Sequence, residues 1–276
     1  MNLDQILKEL GKKGDIPSPK NNELNVDNTE KEKRAEELYI EEYRYGIPLK
    51  EYEALEKIYN QIKPKEDFDT FYIKNSRINT KDGHVFRLYL NNTEVSDISS
   101  IEGLKNLKEL NLNHTKVNDI NPIKDLVNLE YLGLTHTKVN DISPVKGLVN
   151  LEELYLDGNT QVSDISPVKD LKNLKVLYLN NTSVSDISPI SSLKNLNKLN
   201  LSETQVNDIS PVKGLVNLGY LNLNHTKVND ISPVENLNLY CLNIKDSKVN
   251  PSDPIIAKLK KRGVYIEIVG SPQHFF

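Results

Sequence analysis

The sequence predicts an α/β solenoid, in which one short unit is stacked many times along an axis. The stretch LEYLGLTHTKVNDISPVKGLVN, residues 129–150, recurs in variants from residue 85 to residue 250. The period is 22 residues, with one residue added in the fourth unit and one missing from the seventh. The units begin at Val85, Leu107, Leu129, Leu151, Leu174, Leu196, Leu218 and Leu239. A fixed period of this length is typical of solenoids.

Each unit opens with a pattern that predicts a short β-strand. Leu132 and Leu134 alternate with Tyr131, Gly133 and Thr135, so one face is buried and the other is exposed. The return path carries four further apolar residues that we expect to point inward. In the unit of residues 129–150 they are Val139, Ile142, Val145 and Leu148.

Two polar columns predict how the turns are built. A hydroxyl residue occupies the same place after the strand in seven of the eight units, at Thr93, Thr115, Thr137, Thr182, Thr204, Thr226 and Ser247, and we expect it to bond unpaired loop backbone. In the return segment, Asp141 suits an Asx-turn, Ser143 suits a helix N-cap and Pro144 suits the first helical position. A short 3-10 turn should therefore follow each Ser-Pro pair.

One unit has too few apolar side chains to offset the cost of ordering its backbone, so we expect stability from stacking and from caps at both ends. The chain divides into a short helix with a flexible linker (1–28), a helical N-terminal cap (29–84), eight repeats (85–250) and a C-terminal cap with a tail (251–276).

The cap sequences predict individual elements. Residues 29–45 and 49–62 have helical patterns, residues 68–73 suggest an extended segment, and Asp82-Gly83 predicts a turn into the first repeat strand. A helix within residues 251–263 and a strand over 264–269 should close the other end. The alternative for residues 30–82 is a separate helical docking module.

Composition and charge limit the classes of partner. The net charge of −4 gives no overall attraction to nucleic acid or to an anionic membrane, and no stretch has the length of apolar sequence that a membrane helix needs. Cys241 is the only cysteine, so no intrachain disulfide can form, and a reducing compartment is favoured. We therefore expect a cytoplasmic monomer, with signal-peptide-independent export as the alternative.

Candidate groups for chemistry are few. His114, His136 and His225 share one repeat position, and we expect no carboxylate or thiol at that position to complete a metal site with them. The aspartate column 97, 119, 141, 164, 186, 208 and 230 is explained by turn formation. We expect no enzyme activity, no cofactor and no bound metal.

The repeats differ mainly at the strand positions that face away from the core. The return segments hardly change, since VKGLVNL occurs at 145–151 and again at 212–218. Divergence on one face suggests that this face recognises a partner, although solvent-facing positions also drift. The predicted protein-binding residues are Arg87, Tyr89, Tyr131, Glu153, Tyr155, Asp157, Val176, Tyr178 and Tyr220.

The repeats resemble leucine-rich repeats of the internalin type and the 22-residue repeats of the intracellular phosphatase regulator SDS-twenty-two. The matching residues in one unit are Leu174, Leu177, Leu179, Thr182, Val184, Asp186, Ile187, Pro189, Ile190 and Leu193. Threonine stands where the internalin pattern has asparagine, except that Asn159 precedes Thr160. The resemblance implies a right-handed superhelix with a concave parallel β-sheet that binds other proteins.

Two function hypotheses follow. The first is a non-enzymatic interaction scaffold or adaptor that binds a protein partner on the concave face. The second is a structural or adhesive protein that associates with itself, possible also as an exported effector or surface protein.

Overall fold

The computed structural model describes residues 43–44 and 47–268. The predicted helix and linker of residues 1–28 lie outside these residues, as do most of the predicted helix 29–45 and the tail from residue 269. At the end of the 29–45 prediction, Tyr43–Arg44 is a strand (β1) that pairs antiparallel with Ile47–Pro48 (β2). A helix that continues to Tyr45 is therefore wrong.

One sheet of ten strands runs through the repeats and both caps, in chain order. Its strands are Ile78–Lys81 (β3), His84–Tyr89 (β4), Glu109–Asn111 (β5), Tyr131–Gly133 (β6), Glu153–Tyr155 (β7), Val176–Tyr178 (β8), Lys198–Asn200 (β9), Tyr220–Asn222 (β10), Cys241–Asn243 (β11) and Tyr265–Glu267 (β12). Every pair is parallel except the hairpin β3–β4. The central leucines stay in register from strand to strand, as Leu132, Leu154 and Leu177 show. The predicted solenoid with a parallel sheet is confirmed.

The return side carries a short 3-10 helix in each of seven repeats. These helices are Ser99–Gly103, Asn121–Ile123, Ser143–Gly147, Ser166–Asp170, Ser188–Ser192, Ser210–Gly214 and Ser232–Val234. The Asx-turn prediction is confirmed, because Asp141 Oδ1 accepts a hydrogen bond from the Ser143 N–H at 2.8 Å. The N-cap prediction for Ser143 is wrong. Ile142 occupies the cap position, Ser143 is the first residue of the helix, and no side chain makes a cap hydrogen bond.

The hydroxyl column bonds backbone carbonyls, as predicted. Thr137 Oγ1 donates to the Leu134 carbonyl at 2.9 Å, and the other six hydroxyls bond the equivalent carbonyl of their own repeat. Inside this column, apolar side chains from every repeat form one continuous core. These side chains belong to a single cluster, so the core has no boundary between repeats.

The segment before the repeats packs on the N-terminal end of that core. Helix α1 (Leu49–Ile62) buries Leu55 and Ile58, and its start and end are as predicted. Glu51 is also buried, and its carboxylate accepts hydrogen bonds from the Val85 N–H at 2.8 Å and makes a 2.7 Å contact with His84 Nδ1. At the end of α1, Gln61 bonds backbone groups of the first repeat turn. This helix therefore docks on the first repeat along its length.

The extended segment predicted for residues 68–73 is wrong. A π-helix, Thr70–Lys74, occupies this place, and the Asn75 N–H donates to the Thr70 carbonyl at 3.1 Å. In this turn Tyr72 contacts both Phe68 and Phe71, with ring centroids 4.8 Å apart in each pair. Packing of these rings on α1 decides the local conformation.

The turn into the first repeat strand, the C-terminal helix and the last strand are present as predicted. Asp82 and Gly83 have φ of 52° and 79°, so they form the tight turn of the β3–β4 hairpin. Helix α2 (Pro254–Lys261) is capped by Asp253, which accepts the Ile255 N–H at 2.8 Å, and β12 follows as the last parallel strand. Within the described residues, no helix has the length and apolar character needed to cross a membrane.

Candidate functional site

The side chains of the third and fifth residues of each repeat lie on the opposite side of the sheet from the buried leucines. Together they form the concave face. In β7, for example, Leu154 is fully buried while Glu153 and Tyr155 are only partly covered. The sheet register brings the corresponding residues of neighbouring strands side by side. The concave face consists of Arg87, Tyr89, Glu109, Asn111, Tyr131, Gly133, Glu153, Tyr155, Val176, Tyr178, Lys198, Asn200, Tyr220, Asn222, Cys241 and Asn243.

Four tyrosines cross the middle of this face as a continuous row, which we call the tyrosine row. Ring centroids are 5.4 Å apart for Tyr131 and Tyr155, 5.2 Å for Tyr155 and Tyr178, and 6.5 Å for Tyr178 and Tyr220. The strand register places Tyr155 beside Tyr178. Gly133 leaves room for this arrangement, because a Cβ there would lie 3.1 Å from the Tyr131 hydroxyl oxygen. The structure thus brings together four of the five predicted tyrosines, and the fifth, Tyr89, lies apart from the row.

The hydroxyls of the tyrosine row stay protonated at neutral pH. Burial raises the pKa of all four phenols, and that of Tyr220 reaches about 12. The Tyr155 hydroxyl donates to Glu153 Oε2 at 2.7 Å. The row therefore presents neutral rings with polar tips, which suits contact with both apolar and polar groups.

Arg87 and Tyr89 belong to a separate polar cluster at the N-terminal end of the face. Arg87 donates two hydrogen bonds to the Glu109 carboxylate, at 2.6 and 2.7 Å, and the Tyr89 hydroxyl donates to the same carboxylate at 2.5 Å. The Arg87 hydrogen bonds hold the pKa of Glu109 below its usual range. Glu109 was not among the predicted site residues, although its place beside Arg87 in the strand register was a usable signal. The cluster satisfies itself, so Arg87 offers little free charge to a partner.

Two further predicted binding residues, Val176 and Asp157, are nearly buried, whereas a contact surface needs exposed side chains. Val176 is only 8% exposed, since it lies between Glu153 and Lys198 in the register and is covered by its neighbours. Asp157 is also only 8% exposed. Its Oδ2 accepts a hydrogen bond from Thr135 Oγ1 at 3.2 Å, and burial raises the pKa of its carboxyl.

The histidines and the cysteine do not form a reactive centre within the described residues. His114 and His136 stack with ring centroids 5.0 Å apart, and each has the left-handed φ of its repeat position. His136 lies over Gly158, where a Cβ would come within 2.1 Å of His136 Nδ1. No group of three or more metal-ligating side chains is found in the described part of the chain. Cys241 is half-buried, and burial raises the pKa of its thiol.

Comparison with known proteins gives consistent matches to one class. The family model described as leucine-rich repeats (2 copies) matches residues 85–125, 127–170 and 172–214. The crystal structure of internalin C2 from Listeria monocytogenes is 33% identical, covers 68% of this chain and 81% of its own, and superposes with a TM-score of 0.62. No curated protein gives a significant sequence match.

Two other solved structures extend the comparison. An internalin of Listeria monocytogenes, inlF, is 27% identical over 79% of this chain and 69% of its own, with a TM-score of 0.57. A leucine-rich-repeat protein of Leptospira interrogans, 23% identical over 63% of this chain and 52% of its own, shares the fold with a TM-score of 0.55.

Leucine-rich-repeat proteins generally mediate protein–protein interaction, and internalin-like members are typically non-enzymatic. The internalin C2 match spans most of both chains. The chain belongs to the internalin-like family of leucine-rich-repeat proteins.

Proposed function

We propose that this protein is a non-enzymatic interaction scaffold or adaptor that binds a protein partner on its concave face, with the tyrosine row at the centre of the interface. The observation that carries the proposal is the contact of four tyrosine rings across strands β6, β7, β8 and β10. The fold does not require these rings, because the core is filled by leucines on the opposite face of the same strands.

The chemistry of the row suits a protein interface. Tyrosine is enriched among the residues that dominate binding energy, since it buries a large rigid ring at low conformational cost and keeps a hydrogen-bonding tip. The row lies near the middle of the repeat array, where a ligand would be surrounded by strands on both sides. Exposed ion pairs such as Lys108–Glu130 and Lys175–Glu152 lie beside it at the strand starts. Such pairs contribute little energy and suit the polar rim of an interface.

The test is partner capture with a double variant of the central rings. Tyr155→Ala with Tyr178→Ala should abolish capture of the partner from a lysate of the native cell, because truncating a central aromatic often costs about 2 kcal/mol, roughly thirtyfold in affinity. The melting temperature should change little, because neither ring is part of the core.

A matched control removes two apolar side chains from the return side. Val127 and Val149 are both about half exposed there, so Val127→Ala with Val149→Ala should leave capture intact. Undiminished capture by the tyrosine double variant would place the binding site elsewhere, on residues 30–82 or on the return side.

The same proposal includes a monomeric state in a reducing compartment. The single half-buried cysteine supports it, because Cys241 has no intrachain partner for a disulfide. Light scattering during gel filtration should give the mass of one chain at all concentrations. A mass that grows with concentration would favour the self-associating alternative.

A further inference from the structure

Lys198 differs in exposure from the other residues of the concave face. All of these residues lie in the described part of the chain, and Lys198 is the only one with an exposed side chain. The strand register places it beside Tyr220 of β10, with Val176 of β8 on its other side. The rings of Tyr178 and Tyr220 approach each other across β9, the strand that carries Lys198, with centroids 6.5 Å apart. Lys198 therefore lies within the tyrosine row and not at the rim of the face.

The charge of Lys198 is not neutralised within the protein. The other lysines and arginines in or directly before the strands of the repeats each pair with a carboxylate of the next or preceding strand. These pairs are Arg87–Glu109, Lys108–Glu130 and Lys175–Glu152. Lys198 forms no ion pair with any residue that the structure describes. The nearest carboxylate in its row of the face, Glu153, lies two strands away, roughly 10 Å at the usual strand spacing, and its Oε2 already accepts the Tyr155 hydroxyl.

A partner that covers the tyrosine row also removes water from Lys198. A charge that loses its water is costly unless it gains a counter-charge and hydrogen bonds. The neighbouring phenols do not supply a counter-charge, because burial raises the pKa of both Tyr178 and Tyr220 and keeps their hydroxyls neutral at pH 7. Those hydroxyls can instead donate to an acceptor that enters beside Lys198. The partner must therefore bring the negative charge.

We propose that Lys198, beside Tyr178 and Tyr220, binds a side-chain carboxylate of the protein partner, an aspartate or a glutamate. The inference rests on the proposed function and specifies the chemistry that the partner must present at the centre of the interface. Hydrogen bonds from an ammonium to a carboxylate are roughly twice as strong as neutral ones. A basic or apolar group at this place would leave the ammonium without a counter-charge. Lys198 therefore discriminates among partners that the tyrosine rings alone would accept.

The test uses a display library of random peptides as the probe, selected on the immobilised full chain. Peptides recovered on the wild-type protein should contain aspartate and glutamate at least twofold more often than the input library. The net charge of −4 favours basic peptides in general, so an acidic excess has to come from a local positive site. Recovery of no peptides, or of peptides without this excess, overturns the inference.

Charge variants show whether the local positive site is Lys198. Lys198→Glu should remove the acidic excess and enrich lysine and arginine instead, whereas Lys198→Arg keeps the charge and should keep the acidic excess. The matched control Lys213→Glu reverses the charge of an exposed lysine in the return-side helix Ser210–Gly214 and should recover acidic peptides as the wild type does. Circular dichroism should be the same for all four proteins. An acidic excess that survives Lys198→Glu, or that Lys213→Glu also removes, overturns the inference.

These outcomes are separable from failure of the proposed function. If Tyr155→Ala with Tyr178→Ala abolishes partner capture while Lys198→Glu captures normally, the concave interface stands and the carboxylate site falls. If capture survives the tyrosine double variant, the concave interface falls regardless of which peptides the chain recovers.

Discussion

Asn159 shows how far a single residue can be interpreted from sequence. The repeat pattern identified it as the one amide placed ahead of the hydroxyl column, in the unit with the added residue. In the structure it is buried and its Nδ2 donates to the carbonyls of Leu134 and Leu156, at 2.8 and 2.9 Å, while its Oδ1 accepts from Thr137 Oγ1 at 2.8 Å. One amide therefore links the third and fourth repeats, which compensates for the inserted residue.

Replacing this amide should destabilise the protein. Asn159→Ala leaves two buried carbonyls and a hydroxyl with fewer partners, and we expect a loss of about 1 to 3 kcal/mol in the free energy of unfolding. Asn173→Ala is the matched control, because the Asn173 amide makes an exposed hydrogen bond to the Val149 carbonyl. Urea denaturation of both variants measures the difference. Equal losses would mean that the Asn159 bridge has no special role.

The raised pKa of Asp157 gives a pH-dependent prediction. Burial is the main cause, and the folded-state pKa lies above that of the unfolded chain, about 3.9. Ionised Asp157 therefore destabilises the folded state at pH values above its folded pKa, and this effect is lost below the unfolded pKa, where both states are protonated. Asp157→Asn should raise the melting temperature near neutral pH, with the gain vanishing as the pH falls below about 4. A difference in melting temperature between the two proteins that does not change with pH would show that ionisation of Asp157 is not its cause.

The sequence predicts which side chains of the site lie side by side, because the pairing of the strand backbones determines this. The alignment of Tyr155 with Tyr178 follows from the repeat register, so the sequence could predict it. The self-contained Arg87–Glu109 pair and the burial of Val176 and Asp157 depend on side-chain conformations across strands. The repeat period and the residue spacing carry no information on side-chain conformation. The prediction that Arg87 and Val176 are free to contact a partner therefore overestimated how accessible they are.

At the scale of elements, helix α1 and the π-helix show opposite outcomes. Helix α1 was predicted with the bounds Leu49–Ile62, because apolar residues at helical spacing and a following proline are local signals. The π-helix Thr70–Lys74 was mistaken for an extended segment, since its conformation depends on where its aromatic rings pack. Tyr72 is fully buried, and its hydroxyl donates to the Leu55 carbonyl of α1 at 2.9 Å. Tertiary contact overrides local pattern in this segment.

Leu55 offers a test of how α1 supports the repeats. It is 0% exposed, so Leu55→Ala should cost about 2 to 5 kcal/mol. Because each repeat is stabilised by its neighbours, amide hydrogen exchange should rise first in β4 and less in each later strand. The matched substitution Leu259→Ala, a buried leucine of α2, should show the gradient in the opposite direction. A uniform rise across the sheet in both variants would indicate one cooperative unit.

For the whole molecule, the solenoid was predictable because the same pattern of apolar and polar residues occurs eight times in succession. A pattern that recurs so often does not arise by chance. A central buried leucine recurs in every repeat, and the Asx-turn of an aspartate and the hydroxyl bond each recur in seven of the eight. The segments at the two ends occur only once, so no second copy supports a prediction made for them. The two wrong predictions of secondary structure, the helix that continues to Tyr45 and the extended segment of residues 68–73, both lie in the N-terminal segment. The ten-stranded sheet accordingly exceeds the eight repeats by β3 and β12, one strand at each end.

The caps give the last prediction, which concerns the integrity of the complete array. Deleting residues 30–82 removes α1 and β3 and exposes Leu88, Leu90 and Val95, all of which are fully buried in the intact protein. Solenoids need polar caps for solubility, so this shortened protein should aggregate. Deleting residues 1–13 should leave solubility and melting temperature unchanged. Light scattering measures the aggregation of both shortened proteins, and thermal melts measure their stability. A protein without residues 30–82 that stays soluble and equally stable would mean that this segment is a docking module. The repeats would then cover the end of their core without it.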